Sequence, residues 1–206
     1  SNFSIMEIEN KIRKNNPYPP FITSTLQLDA SNKLGFSPSR TMSLAQKLYE
    51  GININGENKG LITYMRTDST NLSNQFIQEA KNIIVKNFGD NYVYNSVRTF
   101  KNKVKNSQEA HEAIRPSDPS LKPNELPSSL EQDLKKLYDL IWRRSLSTQA
   151  SQSVSKIISI KVANKSNSII LTASTSELQF DGYKKIYQDE EINLSLIHIS
   201  EPTRRP

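Results

Sequence analysis

A tyrosine and an arginine stand two residues apart in a segment rich in groups that can act on a phosphate. The segment reads GLITYMRTDSTNLS over residues 60–73 and contains Tyr64, Arg66 and Asp68. A deprotonated tyrosine hydroxyl can attack a phosphodiester if a fixed cation stabilises the charge that grows on the phosphate. In an extended chain Tyr64 and Arg66 would point to the same side and share one phosphate. On spacing alone, an ordinary surface or cross-strand pair explains these two residues more simply.

A histidine and a second arginine lie further along, in the string SQEAHEAIRPSD of residues 107–118. One or two helical turns over residues 108–114 would place His111 and Arg115 on one face, four residues apart. Together they could hold a phosphate, and His111 could also move a proton. The alternative is a surface helix in which each cation has an acidic partner, and spacing alone favours that alternative.

Two short helices are predicted before the tyrosine segment, in a pairing similar to a helix-turn-helix. Their predicted ends are an N-cap at Thr23 or Ser24 with a left-handed stop at Gly35, and an N-cap at Ser39 with a stop at Gly51. The run at residues 61–64 is β-prone. We therefore expect Tyr64 near the end of a strand or in the loop after it.

The remaining elements are predicted from hydrophobic periodicity. A helix covers residues 73–88, and a longer amphipathic helix opens at Ser128 and carries Arg143 and Arg144 near its end. Beyond Gln152 the pattern alternates as in β-strands. The proline-rich run NNPYPP, residues 15–20, cannot be regular helix and reads as a linker.

Composition limits the classes of protein that fit. The 206 residues include no cysteine and carry a formal charge of +6, which suits an anionic partner without identifying it. No apolar run approaches the roughly 20 residues that span a bilayer, so we expect a cytoplasmic protein with no membrane partner. The last thirteen residues, LSLIHISEPTRRP, resemble the translation of a sequencing adapter, and we predict a non-native tail over 194–206.

Several long strings together carry a resemblance that none carries alone. Besides the two above, they are PPFITSTLQLDASNKLGFS (19–37) and RTMSLAQKLYEG (40–51), followed with less specificity by LYDLIWRRSLSTQASQS and LQFDGYKKIY. In this order and at these separations, the chain resembles bacterial DNA topoisomerases of the type IA family over about residues 15–190.

The resemblance implies a mechanism. The tyrosine at position 64 would cut single-stranded DNA through a 5′-phosphotyrosine bond, and after strand passage the enzyme would reseal the break. Negative supercoils would relax without ATP, in a nucleoid-associated enzyme that is monomeric when complete. By the same resemblance, Arg66 would stabilise the scissile phosphate, His111 would contact DNA phosphate, and Asp68 would orient His111. Further DNA-contact candidates are Arg115, Arg40 and Gln46.

The implied fold class is α+β. We predict a mostly helical, helix-turn-helix-like domain with the tyrosine over residues 24–150. It is flanked by parts of an incomplete arch domain, an extended or linker segment at 1–23 and a β segment at 151–193. Those strands are expected to expose unpaired edges.

One departure from the family concerns the metal. The family binds Mg²⁺ through acidic residues of a Toprim domain, with a D-x-D pattern that this sequence lacks. We therefore expect no metal site in this chain, a Mg²⁺ site elsewhere in the complete enzyme, and no relaxation by this chain alone.

Other classes of protein share some of these features. A tyrosine recombinase would form a 3′ linkage, whereas a rolling-circle nuclease needs a pair of metal-binding histidines and residues 1–193 contain one. A non-enzymatic helix-turn-helix protein would explain the charge without the tyrosine chemistry.

Overall fold

The computed structural model describes residues 3–54, 56–100, 111–164 and 169–187. Its strands are β1 (Phe3–Asn15), β2 (Ile52–Ile54), β3 (Glu57–Lys59), β4 (Ser153–Asn164) and β5 (Ile170–Phe180). Its helices are α1 (Thr23–Leu34), α2 (Pro38–Glu50), α3 (Asn74–Phe88) and α4 (Gln132–Ser147), with short 3₁₀ turns at Asp90–Tyr92, Pro123–Glu125 and Gly182–Lys185. The α+β class is thus confirmed. In these ranges no helix is both long enough and apolar enough to cross a membrane.

The chain divides into two compact units. One comprises Pro17–Ser151 and contains all four helices. The other comprises residues 1–16 and 152–206, and its described part is dominated by three long strands.

Helices α1 and α2 form where the sequence indicates, but both start earlier than predicted, and the N-cap of α1 is Ile22 instead of Thr23 or Ser24. Gly35 adopts φ 69°, and its N–H donates to carbonyls in the last turn of α1, so a left-handed residue ends that helix as predicted. Ser37, not Ser39, caps α2: its Oγ accepts from the Arg40 N–H at 3.2 Å. Pro38 follows as the first helical residue, where its missing N–H costs nothing.

Helices α3 and α4 supply most of the remaining core of this unit. Helix α3 matches the predicted range 73–88 closely, with Ser73 as its N-cap and Gly89 as its C-cap. Helix α4 begins at Gln132 and not at Ser128, because a turn comes first, in which the Leu130 N–H donates to the carbonyl of residue 127. The largest fully buried side chains of this unit are Phe21, Leu26, Leu44, Leu48, Ile62, Met65, Phe76, Ile84, Ile114, Leu137, Tyr138 and Ile141.

The helix predicted around His111 is wrong for the part that the structure describes. Residues 111–116 are extended, and two isolated antiparallel bridges join Ile114 to Phe21 and Pro116 to Ile62. These tertiary hydrogen bonds replace the local ones that a helical turn would have made. The predicted residues 108–110 lie outside the described ranges.

Arg144 is a structural residue in the core of the helical unit. Its Nε donates to the Pro19 carbonyl at 2.7 Å, and its Nη1 lies 3.2 Å from the Asp29 carboxylate. The guanidinium also lies 4.7 Å from the ring centres of Tyr18 and Phe21. Arg144 therefore ties the proline-rich segment and α1 to α4, with its charge paired and its plane against two aromatic rings.

The strand unit is a three-stranded antiparallel sheet in the order β1-β4-β5. Strand β4 is central: Ile8 pairs with Ile160 on one side, and Thr175 pairs with Ile158 on the other. Within the described residues, β1 and β5 are paired along one edge only, as expected from the sequence. Several large apolar side chains of the edge strands are exposed, namely Ile5, Met6, Ile8, Ile12, Ile170 and Leu171.

Two adjacent arginines of α4 give a matched test of the helical unit. Arg144→Ala should lower the free energy of unfolding by about 2–4 kcal/mol, because it removes a largely buried guanidinium with its bonds to the Pro19 carbonyl and the Asp29 carboxylate. Arg143→Ala should cost less than about 0.5 kcal/mol, because its side chain is 39% exposed and, among the described residues, its ion pair is with Asp139 one turn away. Urea unfolding of the full chain measures both. Equal losses would contradict the role assigned to Arg144.

Candidate active site

Tyr64 lies in a loop, directly after the isolated bridge at Ile62. The β-prone run at residues 61–64 forms this single bridge and does not extend into a strand. The Tyr64 side chain is 41% exposed, and it makes no hydrogen bond to any residue that the structure describes. Its ring packs edge-on against the Tyr49 ring, with 5.3 Å between ring centres. The phenol is thus open to a ligand from solvent.

Burial alternates along the segment that follows. Met65, Thr67 and Ser69 are buried, whereas Arg66 and Asp68 are exposed together with Tyr64. The apolar and hydroxyl side chains hold the backbone from the inside. As a result, the side chains of Tyr64, Arg66 and Asp68 all remain accessible to a phosphate, as the predicted alternation requires.

The Thr23 hydroxyl, in the first turn of α1, binds the backbone on both sides of Arg66. As a donor it faces two carbonyl oxygens, that of Met65 at 2.9 Å and that of Thr67 at 3.0 Å. It accepts from the Thr67 N–H at 2.9 Å, and the Thr23 N–H donates to the Thr67 carbonyl at 2.9 Å. The backbone of Arg66 is therefore fixed to the start of a helix.

The Thr63 hydroxyl makes the matching connection to the histidine segment. It donates to the Ala113 carbonyl at 2.7 Å and accepts from the Arg115 N–H at 3.0 Å. The Thr63 N–H in turn donates to the Arg115 carbonyl at 2.9 Å. Residues 111–115 are thereby fixed beside the tyrosine loop, although about fifty positions separate them in sequence.

These connections bring three predicted site residues to one open pocket of about 530 Å³. Arg66, Asp68 and His111 line it together with the start of α1. The described residues that line it are Ile22, Thr23, Ser24, Gln27, Arg66, Thr67, Asp68 and His111. Two cationic or proton-carrying groups and a helix N-terminus favour an anion, and the volume is sufficient for part of a nucleotide.

The Asp68 carboxylate and the His111 imidazole share this pocket without a hydrogen bond between them. Both side chains are exposed, and neither forms an ion pair within the described residues. The same ranges contain no group of three or more His, Cys, Asp or Glu residues that could hold a metal ion. The described residues therefore offer no acidic donor set of the kind that holds Mg²⁺.

Arg115 lies beside the pocket but is held by other groups. Its Nε donates to the Glu112 carboxylate at 2.7 Å, and its Nη1 donates to the Pro116 carbonyl at 2.9 Å. The guanidinium also lies 5.0 Å from the ring centre of Phe76. These contacts give Arg115 a structural role in holding the extended segment.

Arg40 and Gln46 lie on α2 and do not line the pocket. Arg40 bonds to Asp133 and Glu131, and these two carboxylates raise the pKa of its guanidinium. Gln46 bonds to Glu50 within the same helix. Neither side chain joins the group formed by Arg66, Asp68 and His111.

Sequence reasoning missed the two threonines that build the site. Thr23 appeared only as a possible helix cap, and Thr63 only as part of a β-prone run. In the structure Thr23 is the first residue of α1, and its hydroxyl bonds to the backbone of the tyrosine segment instead of capping its own helix. Both lie within the strings that carry the family resemblance, and that was the one available signal.

Thr63 can be tested with a pair of conservative variants. Thr63→Val keeps the shape but removes both hydroxyl bonds, leaving the Ala113 carbonyl and the Arg115 N–H without that partner. It should lower the free energy of unfolding by about 1–3 kcal/mol, whereas Thr63→Ser should cost less because the hydroxyl stays. Urea unfolding gives the values, and a Val variant as stable as the Ser variant would contradict this connection.

Known proteins are similar to this chain in both sequence and fold. Residues 1–201 match the family model described as DNA topoisomerase. DNA topoisomerase 1 of Rickettsia felis is 47% identical over 188 residues, which are 91% of this chain and 24% of the relative. DNA topoisomerase 1 of Campylobacter jejuni is 46% identical over 187 residues, 91% of this chain and 26% of the relative.

A solved structure agrees with these relatives. Full-length topoisomerase I from Thermotoga maritima superposes with a TM-score of 0.79 at 38% identity, covering 91% of this chain and 30% of that one. The chain thus spans about a quarter of the length of the curated relatives described above. With a family model that matches nearly the whole sequence and a shared fold, the chain belongs to the bacterial DNA topoisomerase I family.

Proposed function

We propose that this chain provides the strand-cutting tyrosine of a type IA DNA topoisomerase. The observation that carries the proposal is the arrangement of Tyr64 and Arg66. Both are exposed, and hydrogen bonds fix the backbone around them next to a pocket lined by Arg66, Asp68 and His111. A nucleophile, a cation and an anion-binding pocket thereby lie along one accessible surface.

In the proposed reaction the Tyr64 oxygen attacks the phosphorus of a single-stranded DNA phosphodiester. A bond forms between that oxygen and phosphorus, and the bond from phosphorus to the 3′ oxygen breaks. The phenol loses its proton and the departing 3′ oxygen gains one, which leaves a 5′-phosphotyrosine and a 3′-hydroxyl. The reverse attack reseals the strand, so the covalent bond conserves the phosphodiester energy and no ATP is needed.

Arg66 stabilises the charge that develops on the attacked phosphate. Within the described residues its guanidinium forms no ion pair, so it can donate two hydrogen bonds to phosphate oxygens. Asp68 lines the same pocket as Arg66 and His111. Its carboxylate offsets part of the positive charge of Arg66 and orients the His111 imidazole once DNA is bound. Catalytic hydrogen bonds often tighten only in the bound complex.

His111 and the first turn of α1 hold a neighbouring phosphate of the same strand. The helix N-terminus offers N–H groups and a partial positive charge, and the imidazole adds a further donor. Sequence-independent contacts of this kind fix the register of the strand over Tyr64.

In the complete enzyme, the expected partners are single-stranded and negatively supercoiled DNA, and the expected state is a nucleoid-associated monomer in the cytoplasm. Mg²⁺, where the complete enzyme binds it, would sit on acidic residues outside this chain and assist binding of the DNA phosphates. The side chains of this chain supply the nucleophile and the groups that bind phosphate.

The nucleophile is tested in a chimera in which this chain replaces the matching quarter of Rickettsia felis DNA topoisomerase 1. With Mg²⁺ and end-labelled single-stranded DNA, the chimera should form a denaturant-resistant adduct on the 5′-phosphate. Tyr64→Phe should abolish the adduct and change the dissociation constant for DNA less than about twofold, since only the reacting oxygen is lost.

A 3′-linked adduct would indicate a recombinase-like reaction instead. Normal folding and DNA binding with no adduct would leave a helix-turn-helix binding module and overturn the catalytic assignment.

The pocket is tested by the salt dependence of DNA binding. Arg66→Ala and His111→Ala should each weaken binding of a single-stranded oligonucleotide, and Arg66→Ala should reduce the slope of log K against log salt by about 0.7, as for one lost phosphate contact. Arg143→Ala, which removes an exposed arginine paired with Asp139 on α4, is the control and should leave the slope unchanged. Fluorescence titration at several salt concentrations measures all three. Equal slopes in Arg66→Ala and the control would contradict the phosphate contact.

A further inference from the structure

The Tyr64 side chain makes no hydrogen bond to a described residue, although its backbone is held on both sides. The Thr63 N–H donates to the Arg115 carbonyl, and the Met65 carbonyl accepts from Thr23. These bonds set the position of the Tyr64 backbone but not the rotamer of its side chain. The ring packs edge to face against the Tyr49 ring, with 65° between the ring planes.

Tyr49 is itself held against the tyrosine loop by the backbone at the end of α2. The Leu61 N–H donates to the Leu48 carbonyl at 2.7 Å. Gly60 lies so close that a Cβ atom there would be 2.7 Å from the Tyr49 carbonyl oxygen. The end of α2 and the segment that leads to Tyr64 are therefore held against each other, although the β2–β3 hairpin separates them in sequence.

We propose that Tyr49 is a positioning residue that sets the rotamer of the Tyr64 ring and so aims the phenol oxygen at the scissile phosphate. The inference rests on the proposed function, since it assigns a second residue to the same reaction. The contact has the geometry that aromatic pairs prefer, with ring centres between about 4.5 and 7 Å apart. Its effect is to keep one rotamer of an otherwise exposed side chain populated before DNA binds.

The ring of Tyr49, and not its hydroxyl, carries this role. The Tyr49 side chain is 41% exposed, and its hydroxyl makes no hydrogen bond to a described residue. A phenylalanine at this position would present the same aromatic surface to Tyr64. An alanine would leave the phenol free to populate other rotamers, and misplacement of a reacting atom by about 1 Å can cost up to about 100-fold in rate.

The kinetic test measures single-turnover adduct formation in the Rickettsia felis chimera with Mg²⁺. Tyr49→Ala should slow adduct formation by about 10- to 100-fold, with the dissociation constant for the oligonucleotide changed less than about twofold. Tyr49→Phe should react within about twofold of the unsubstituted chimera. Val85→Ala, an equally exposed side chain on α3, is the control for a surface truncation and should not change the rate.

The second test does not depend on activity. With 3-fluorotyrosine incorporated at Tyr64 of the full chain, the ¹⁹F resonance should move in Tyr49→Ala and stay in place in Tyr49→Phe, because the ring current of residue 49 is lost only in the first. Thermal melting of each variant checks that the fold is retained.

The outcomes separate the two proposals. Equal adduct rates in Tyr49→Ala and the unsubstituted chimera, or an unmoved ¹⁹F resonance in Tyr49→Ala, would overturn the positioning role alone. Equal slowing in Tyr49→Phe would transfer the role to the hydroxyl and also overturn it as stated. No adduct in the unsubstituted chimera would overturn the proposed function, and the positioning role with it.

Discussion

Two threonine hydroxyls determine where the reactive groups of this chain stand. The segment after Ile62 forms no strand ladder, so its buried backbone groups need other partners. Thr23 and Thr63 supply them, one from the start of α1 and one toward residues 113–115. Because a hydroxyl both donates and accepts, each threonine joins two backbone segments through a single side chain. Without these bonds the loop would be joined to the helix and to the histidine segment by backbone–backbone bonds alone, such as those from the Thr23 and Thr63 N–H groups.

The distribution of charge follows from the same arrangement. Most arginines in the helical unit are engaged by acids or carbonyls: Arg115 by Glu112, Arg40 by Asp133 and Glu131, and Arg144 by Asp29 and the Pro19 carbonyl. Their charges stabilise the unit and are largely compensated. Arg66 differs, since no acid of the described residues pairs with its guanidinium. A cation without a partner at an open pocket keeps its capacity to bind phosphate.

The strand unit has a different character. In the described part of its sheet, each outer strand, β1 or β5, pairs with β4 alone. These two strands expose isoleucine and leucine side chains. Such edges are normally covered or charged in soluble proteins. Lys161 with Glu7 gives the sheet one exposed cross-strand ion pair, in which the carboxylate raises the pKa of the lysine. Exposed pairs of this kind add little stability, so pairing with the central strand β4 must supply most of it.

The sequence by itself determined the helices, the long strands and the family, because periodicity, caps and motif strings are local properties that a single sequence displays. It also placed Tyr64 in or beside a loop and grouped Arg66 and Asp68 with it. Only the tertiary structure decided the conformation around His111, where long-range bridges to Phe21 and Ile62 replace the predicted helical turn. It also decided which arginines are engaged, and that Thr23, Thr63 and Tyr49 adjoin the reactive segment. These facts depend on contacts between residues distant in the chain, and no local pattern encodes the partner of a hydroxyl or the neighbour of an exposed ring.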